Sequence, residues 1–202
     1  MTSFRSKMFV FFLKYRSLLR LQIRPKSPDT TIPGVHRMRK GLEKGSRLLG
    51  KIPPDINIIP LEIGEIYAEW VAPSSAPKDK AILYFHGGGY VVGSAQGHRA
   101  IVAKFAKGSA TRALVFNYGL APEHPFPEGL NDAVDAYKYL LSEGIESSKI
   151  VLMGDSAGSG LCLATTLALR EQKIPSPAAT IALFSLDRFK KHGRVAEIES
   201  KG

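Results

Sequence analysis

An α/β architecture, a mostly parallel sheet with flanking helices, is predicted by three features of this 202-residue chain. Short continuous apolar runs recur from residue 56 onward, as expected of strands buried on both faces. Segments with apolar residues at helical spacing separate them. Glycine or proline marks most of the junctions.

The elements follow in order. Met8 to Leu13 is an apolar run of six residues, followed by Lys14, Arg16 and Arg20. It is too short to span a bilayer, which needs about 20 residues, or to serve as a secretory core of about 7–15. Phe9, Phe12 and Leu13 beside those cations read as an amphipathic helix that packs on the body as a lid; lying on an anionic membrane is the alternative. Val35, Met38, Leu42 and Leu49 predict a second helix over 35–49, interrupted by Gly41 and Gly45. Residues 56–63 and 65–71 read as a β-hairpin turned at Gly64, with Pro60 confining the first strand to an edge. Strands are predicted at 81–85, 112–118, 150–153 and 178–184. Helices are predicted at 96–107, 128–142 and 157–172. Ile101, Val102, Phe105 and Ala106 should face inward on the first of these; Leu130, Ala133, Val134, Tyr137, Leu140 and Leu141 do so on the second, which Gly144 stops.

Composition narrows the function. The formal charge is +10 at 44% hydrophobic content, close to a soluble average. Residues 1–51 hold thirteen Lys or Arg against two acids, Asp29 and Glu43, and the remainder is near neutral. A basic arm before a neutral body points to a capping or membrane-touching segment and away from nucleic acid. The single cysteine, Cys162, excludes an internal disulfide and an all-cysteine metal cluster, and reads as a small core residue.

Two constellations carry chemistry. Gly154-Asp155-Ser156-Ala157-Gly158 matches G-x-S-x-G between an apolar run and a helical segment, where a strained strand-to-helix turn lifts a serine hydroxyl above a sheet. Ser156 is the candidate nucleophile. His86-Gly87-Gly88-Gly89-Tyr90 is a glycine loop whose amides can face a developing oxyanion. Gly88, Gly89 and the Ala157 amide are the candidate oxyanion hole, with His86, Gly87, Gly154, Asp155 and Gly158 as supporting positions. A phosphate cradle would need Lys-Ser/Thr at fixed spacing, which this loop does not have.

With Tyr118-Gly119-Leu120-Ala121-Pro122-Glu123-His124-Pro125-Phe126-Pro127 between them, these motifs resemble the hormone-sensitive-lipase-like serine esterases and lipases, the α/β hydrolase fold-3 group. The likeness covers about residues 56–184. It implies an α/β-hydrolase fold with an N-terminal helical cap, and hydrolysis of small acyl esters without a metal or other cofactor. It divides the chain into a basic cap at 1–51, a core at 52–185 and a charged, disordered tail at 186–202. A cytoplasmic protein, with membrane contact through 1–51 as the alternative, is the expected setting. Asn117-Tyr118-Gly119 departs from the family's Asp-Tyr-Arg, which removes a local salt-bridge network, and Ser159 stands where glycine is usual.

The triad is the larger departure. Its acid and histidine follow the serine in chain order, and Asp187 and His192 satisfy that order. They lie five positions apart in a charged stretch with no strand to hold either group. The sequence therefore predicts a core without its last strands, a strand at 178–184 left as an uncovered edge, and impaired ester hydrolysis. A non-catalytic remnant or an acyl- or membrane-surface-binding protein is the competing expectation.

Overall fold

The computed structural model describes residue 29, residues 31–46 and residues 50–183. The apolar run at 8–13, Leu49, Asp187, His192 and the whole charged tail lie outside the described residues. Apolar runs in the middle of the chain become strands of one six-stranded sheet, because helices on both faces leave neither side wet.

Strands β1 (Ile56–Ile63) and β2 (Ile66–Pro73) form the hairpin, and Gly64 turns it with φ +59°. The sheet order is β1-β2-β4-β3-β5-β6, with β3 at Ala81–Phe85, β4 at Arg112–Phe116, β5 at Ile150–Asp155 and β6 at Ala179–Leu183. Pro60 sits on edge strand β1, where its missing N–H leaves no ladder bond unmade. β2 meets β4 antiparallel, while β4, β3, β5 and β6 are mutually parallel.

Side chains alternate between two cores. Leu83, Phe85, Leu114, Phe116 and Leu152 pack on helices α3 (Glu128–Ser142) and α4 (Ala157–Glu171). Ile82, Tyr84, Ala113, Val115 and Met153 pack on α2 (Ala95–Gly108). α2 is capped by the Ser94 hydroxyl, which accepts from the Gly97 amide at 3.0 Å. Ala103 and Ala106 bring it close to the sheet, and Ile101, expected inward, is 39% exposed. It neighbours buried Val102, and one residue is about 100° of helical rotation, enough to turn a side chain off the core. On α3 the buried set is Ala133, Val134, Ala136, Tyr137 and Leu140, with Leu130 and Leu141 partly buried at its margin.

Helix α1 (Ile32–Ser46) starts three residues before the predicted helix, at the Thr31 hydroxyl, which accepts from the Gly34 amide at 3.2 Å. The expected apolar face does not form a seam. Val35 is buried, but Met38 and Leu42 are 39% and 50% exposed. The surface beneath offers carbonyl oxygens and a carboxylate, so Arg39 makes the contact. β6 is the outer strand among the described residues, and its Ile181 is exposed. Among the described residues no helix is long and apolar enough to cross a membrane.

Candidate active site

β5 ends at Asp155 and α4 begins at Ala157, so Ser156 occupies the turn between them. It adopts φ 49° and ψ −118°, a conformation disfavoured for any residue with a side chain. The surrounding glycines make this turn possible. A Cβ on Gly158 would lie 2.1 Å from the Phe85 carbonyl oxygen, and one on Gly154 would lie 2.6 Å from the Gly158 backbone. The first turn of α4 thus lies directly against the end of β3. Ser156 is exposed, and its amide donates to the Leu183 carbonyl at 3.2 Å.

The glycine loop leaves β3 at the same edge of the sheet. Gly88 (φ +131°) and Gly89 (φ +65°) occupy left-handed backbone, and a Cβ on Gly88 would fall 1.9 Å from the Val92 carbonyl oxygen. Among the described residues the Gly88, Gly89 and Ala157 amides donate to no acceptor. Three free N–H groups flanking a raised serine can hydrogen-bond an oxyanion.

Asp155, the first of the two variable positions of the pentapeptide, joins the two motifs. Its Oδ1 accepts from the Gly87 amide at 3.0 Å and from the Tyr84 hydroxyl at 2.9 Å. A Cβ on Gly87 would reach 2.2 Å from Oδ2, so the first loop glycine is needed for this clamp. Burial first, then the Asp155 carboxylate, pushes the Tyr84 phenol well above its ordinary range and keeps it a donor. Nothing in G-x-S-x-G marks this position, so sequence reasoning gave Asp155 only a supporting place.

His86 is fully buried beneath the loop. Its ring stacks on Tyr118 with centroids 4.3 Å apart, and the Tyr118 hydroxyl donates to the His86 carbonyl at 2.7 Å. Nδ1 lies 3.0 Å from the Gly87 carbonyl, which can only accept, so Nδ1 carries the hydrogen, and buried Nε2 has no partner among the described residues. Burial pushes its pKa down to about 4, which keeps the ring neutral. His98 lies nearby, its Nε2 3.9 Å from Asp155 Oδ1. Among the described residues no histidine is hydrogen-bonded to the Ser156 hydroxyl.

The departures from the family pattern are accommodated locally. The Ser159 hydroxyl donates to the Gly154 carbonyl at 2.7 Å, inside the elbow. Asn117 Oδ1 accepts from the Ala95 amide at 2.7 Å, and the Gly119 amide donates to Asp132 Oδ2 at 2.7 Å. An ion pair is nonetheless present on the adjacent loop. Arg39 of α1 is bidentate to Glu123 at 3.0 and 2.8 Å, and donates to the Val91 and Ala121 carbonyls at 2.8 and 2.9 Å. The Arg39 guanidinium holds the Glu123 carboxyl below its ordinary range. This contact lays α1 beside the glycine loop over a cleft of about 500 Å³, walled by Leu42, Val92 and Ile101 and reaching Gly88, His98 and Asp155.

The profile of the α/β hydrolase fold family matches residues 82–200, and the chain belongs to that family. It is a hormone-sensitive-lipase-like member, as shown by an esterase structure of the bacterial hormone-sensitive lipase family. That structure superposes with TM-score 0.75 at 34% identity, over 91% of this chain and 58% of the other. An acetyl-hydrolase of Streptomyces hygroscopicus is 38% identical over 135 residues, 67% of this chain and 44% of its own length. An esterase of Acinetobacter venetianus is 32% identical over 167 residues, 83% of this chain and 54% of its own. The chain spans about half the length of these curated relatives. The matched segment begins inside β3 and continues past the described residues through Asp187 and His192.

Proposed function

We propose that this chain carries the nucleophile and oxyanion elements of a serine carboxylesterase acting on small acyl esters. The observation that carries the reading is the strained Ser156 turn flanked by three amides that have no acceptor among the described residues. Ser156 Oγ would attack the ester carbonyl and give up its proton to a base. The tetrahedral oxyanion would take hydrogen bonds from Gly88, Gly89 and Ala157. Collapse expels the alcohol, and water then hydrolyses the acyl-serine. The names of its relatives, an acetyl-hydrolase and an esterase, support this class of substrate.

The base and acid belong to the same proposal. Asp187 and His192 are the pair that chain order admits, and their spacing of only five positions leads us to expect turnover below that of a complete triad by orders of magnitude. The test combines p-nitrophenyl acetate hydrolysis with fluorophosphonate labelling read by mass spectrometry, in the wild-type chain and in Ser156→Ala. Slow turnover and one label on Ser156, both lost in the variant, support the reading. No turnover and no label refute it and favour a non-catalytic protein that keeps the acyl cleft.

A membrane-surface role for the arm is favoured by one observation. On α1, Ile32, Met38 and Leu42 are exposed alongside Arg37, Lys40 and Lys44. The proposed setting is cytoplasmic, with this helix touching anionic lipid.

A further inference from the structure

We propose that Tyr90 is a positioning residue that sets the gap between the glycine loop and the Ser156 helix, its hydroxyl bearing on Gly160. The inference rests on Ser156 as the nucleophile and gives a role to Tyr90, the one member of the glycine-loop motif that had none. Gly160 lies outside G-x-S-x-G, one turn into α4, at an interior position where glycine weakens a helix relative to alanine. Its lack of a side chain therefore has some other cause. A Cβ there would stand 2.5 Å from the Tyr90 Oη and 3.8 Å from its Cζ; outside the helix itself, no other described atom lies within 4 Å. The phenol thus occupies the space that a side chain at Gly160 would need.

Tyr90 is held in that place from its other end. It directly follows Gly89 and adopts φ 62°, a left-handed conformation unfavourable for a residue with a side chain. Its carbonyl accepts from the Ala121 amide at 2.8 Å, which ties it to the third motif segment. The loop is then braced at three points. Asp155 holds the Gly87 amide, Ala121 holds the Tyr90 carbonyl, and the Tyr90 ring rests on α4. The first two restrain the ends of the loop along the sheet edge. The third fixes how far Gly88 and Gly89 stand from the helix that begins at Ala157. The Tyr90 hydroxyl has no hydrogen-bond partner among the described residues, so the contact is steric.

The geometry gives a test by rescue. Gly160→Ala drives a methyl group into the hydroxyl. In the Tyr90→Phe background the same methyl meets only Cζ at 3.8 Å, an ordinary contact. For p-nitrophenyl acetate, Gly160→Ala in the otherwise wild-type chain should lower kcat by about tenfold or more with KM changed less than about twofold, because displaced oxyanion donors act on the transition state. In the Tyr90→Phe background the same substitution should change kcat by less than about twofold. Equal losses in the two backgrounds, or no loss in either, overturn the proposal.

Amide hydrogen exchange over residues 87–92 in the same four proteins gives a readout that needs no turnover. Exchange should quicken in Gly160→Ala and return to the Tyr90→Phe rate in the double variant. If the wild-type chain hydrolyses no ester, the Ser156 reading fails and exchange alone decides on Tyr90. Unchanged exchange in Gly160→Ala then overturns the proposal.

Discussion

Asp155→Ala removes the carboxylate that clamps the serine turn to the glycine loop, and its effect can be worked from two bonds. Oδ1 accepts from the Tyr84 hydroxyl at 2.9 Å and the Gly87 amide at 3.0 Å. Hydrogen bonds to a charged acceptor contribute about 1.5–3 kcal/mol each. Because both share one oxygen, we take the lower end, about 3 kcal/mol for the pair. Tyr84 is fully buried, so its hydroxyl is also left without a partner. In a chain of this size 1 kcal/mol moves Tm by about 2–4 °C, which predicts a fall of about 6–12 °C. Asp155→Asn retains an acceptor oxygen but discharges it, and bonds to a neutral acceptor are about half as strong, so its fall should be about half as large. Thermal unfolding followed by far-ultraviolet circular dichroism measures both variants beside the wild-type chain. A Tm for Asp155→Ala within about 2 °C of wild type, or equal falls for the two variants, would refute the clamp.

Three further outcomes follow from other parts of the molecule. Burial depresses the His86 pKa from 6.5 to about 4, so the unfolded chain binds more protons between those values, and stability should fall as pH drops from about 6.5 to 4, by about 3 kcal/mol. Denaturant midpoints across that window check it, and a flat profile that His86→Asn leaves unchanged rejects it. Arg39→Ala removes the contacts of α1 to Val91, Ala121 and Glu123, and limited proteolysis should then cut near residues 47–50 faster while the core stays intact. Vesicles containing anionic lipid should retain the chain at low salt and release it at about 0.5 M salt; equal retention on neutral vesicles would count against the charged arm.

Much of this protein was legible before any tertiary contact was known. Strand and helix alternation survives folding because a parallel sheet covered on both faces demands continuous apolar strands, and 81–85 and 113–116 meet that demand on their own. The elbow was legible for a steric reason: Gly154 and Gly158 are needed where helix and strand backbones nearly touch, and that need is written into the pentapeptide itself. What required the tertiary structure were contacts between distant segments at positions with no local signature. Asp155 occupies a variable motif position and matters because Tyr84 and Gly87 come from another strand and the loop that follows it. Arg39 is one of many cations in the arm until Glu123 and two carbonyls select it, which is why α1 docks through a guanidinium and leaves Met38 and Leu42 outside. Ile101 and Val102 are equally apolar, and only the phase of α2 against the sheet decides that one lines the cleft while the other enters the core. Local sterics and hydrophobic pattern thus set the elements and the turn at Ser156, while the pairing of charges and the facing of helices became definite only when those elements packed.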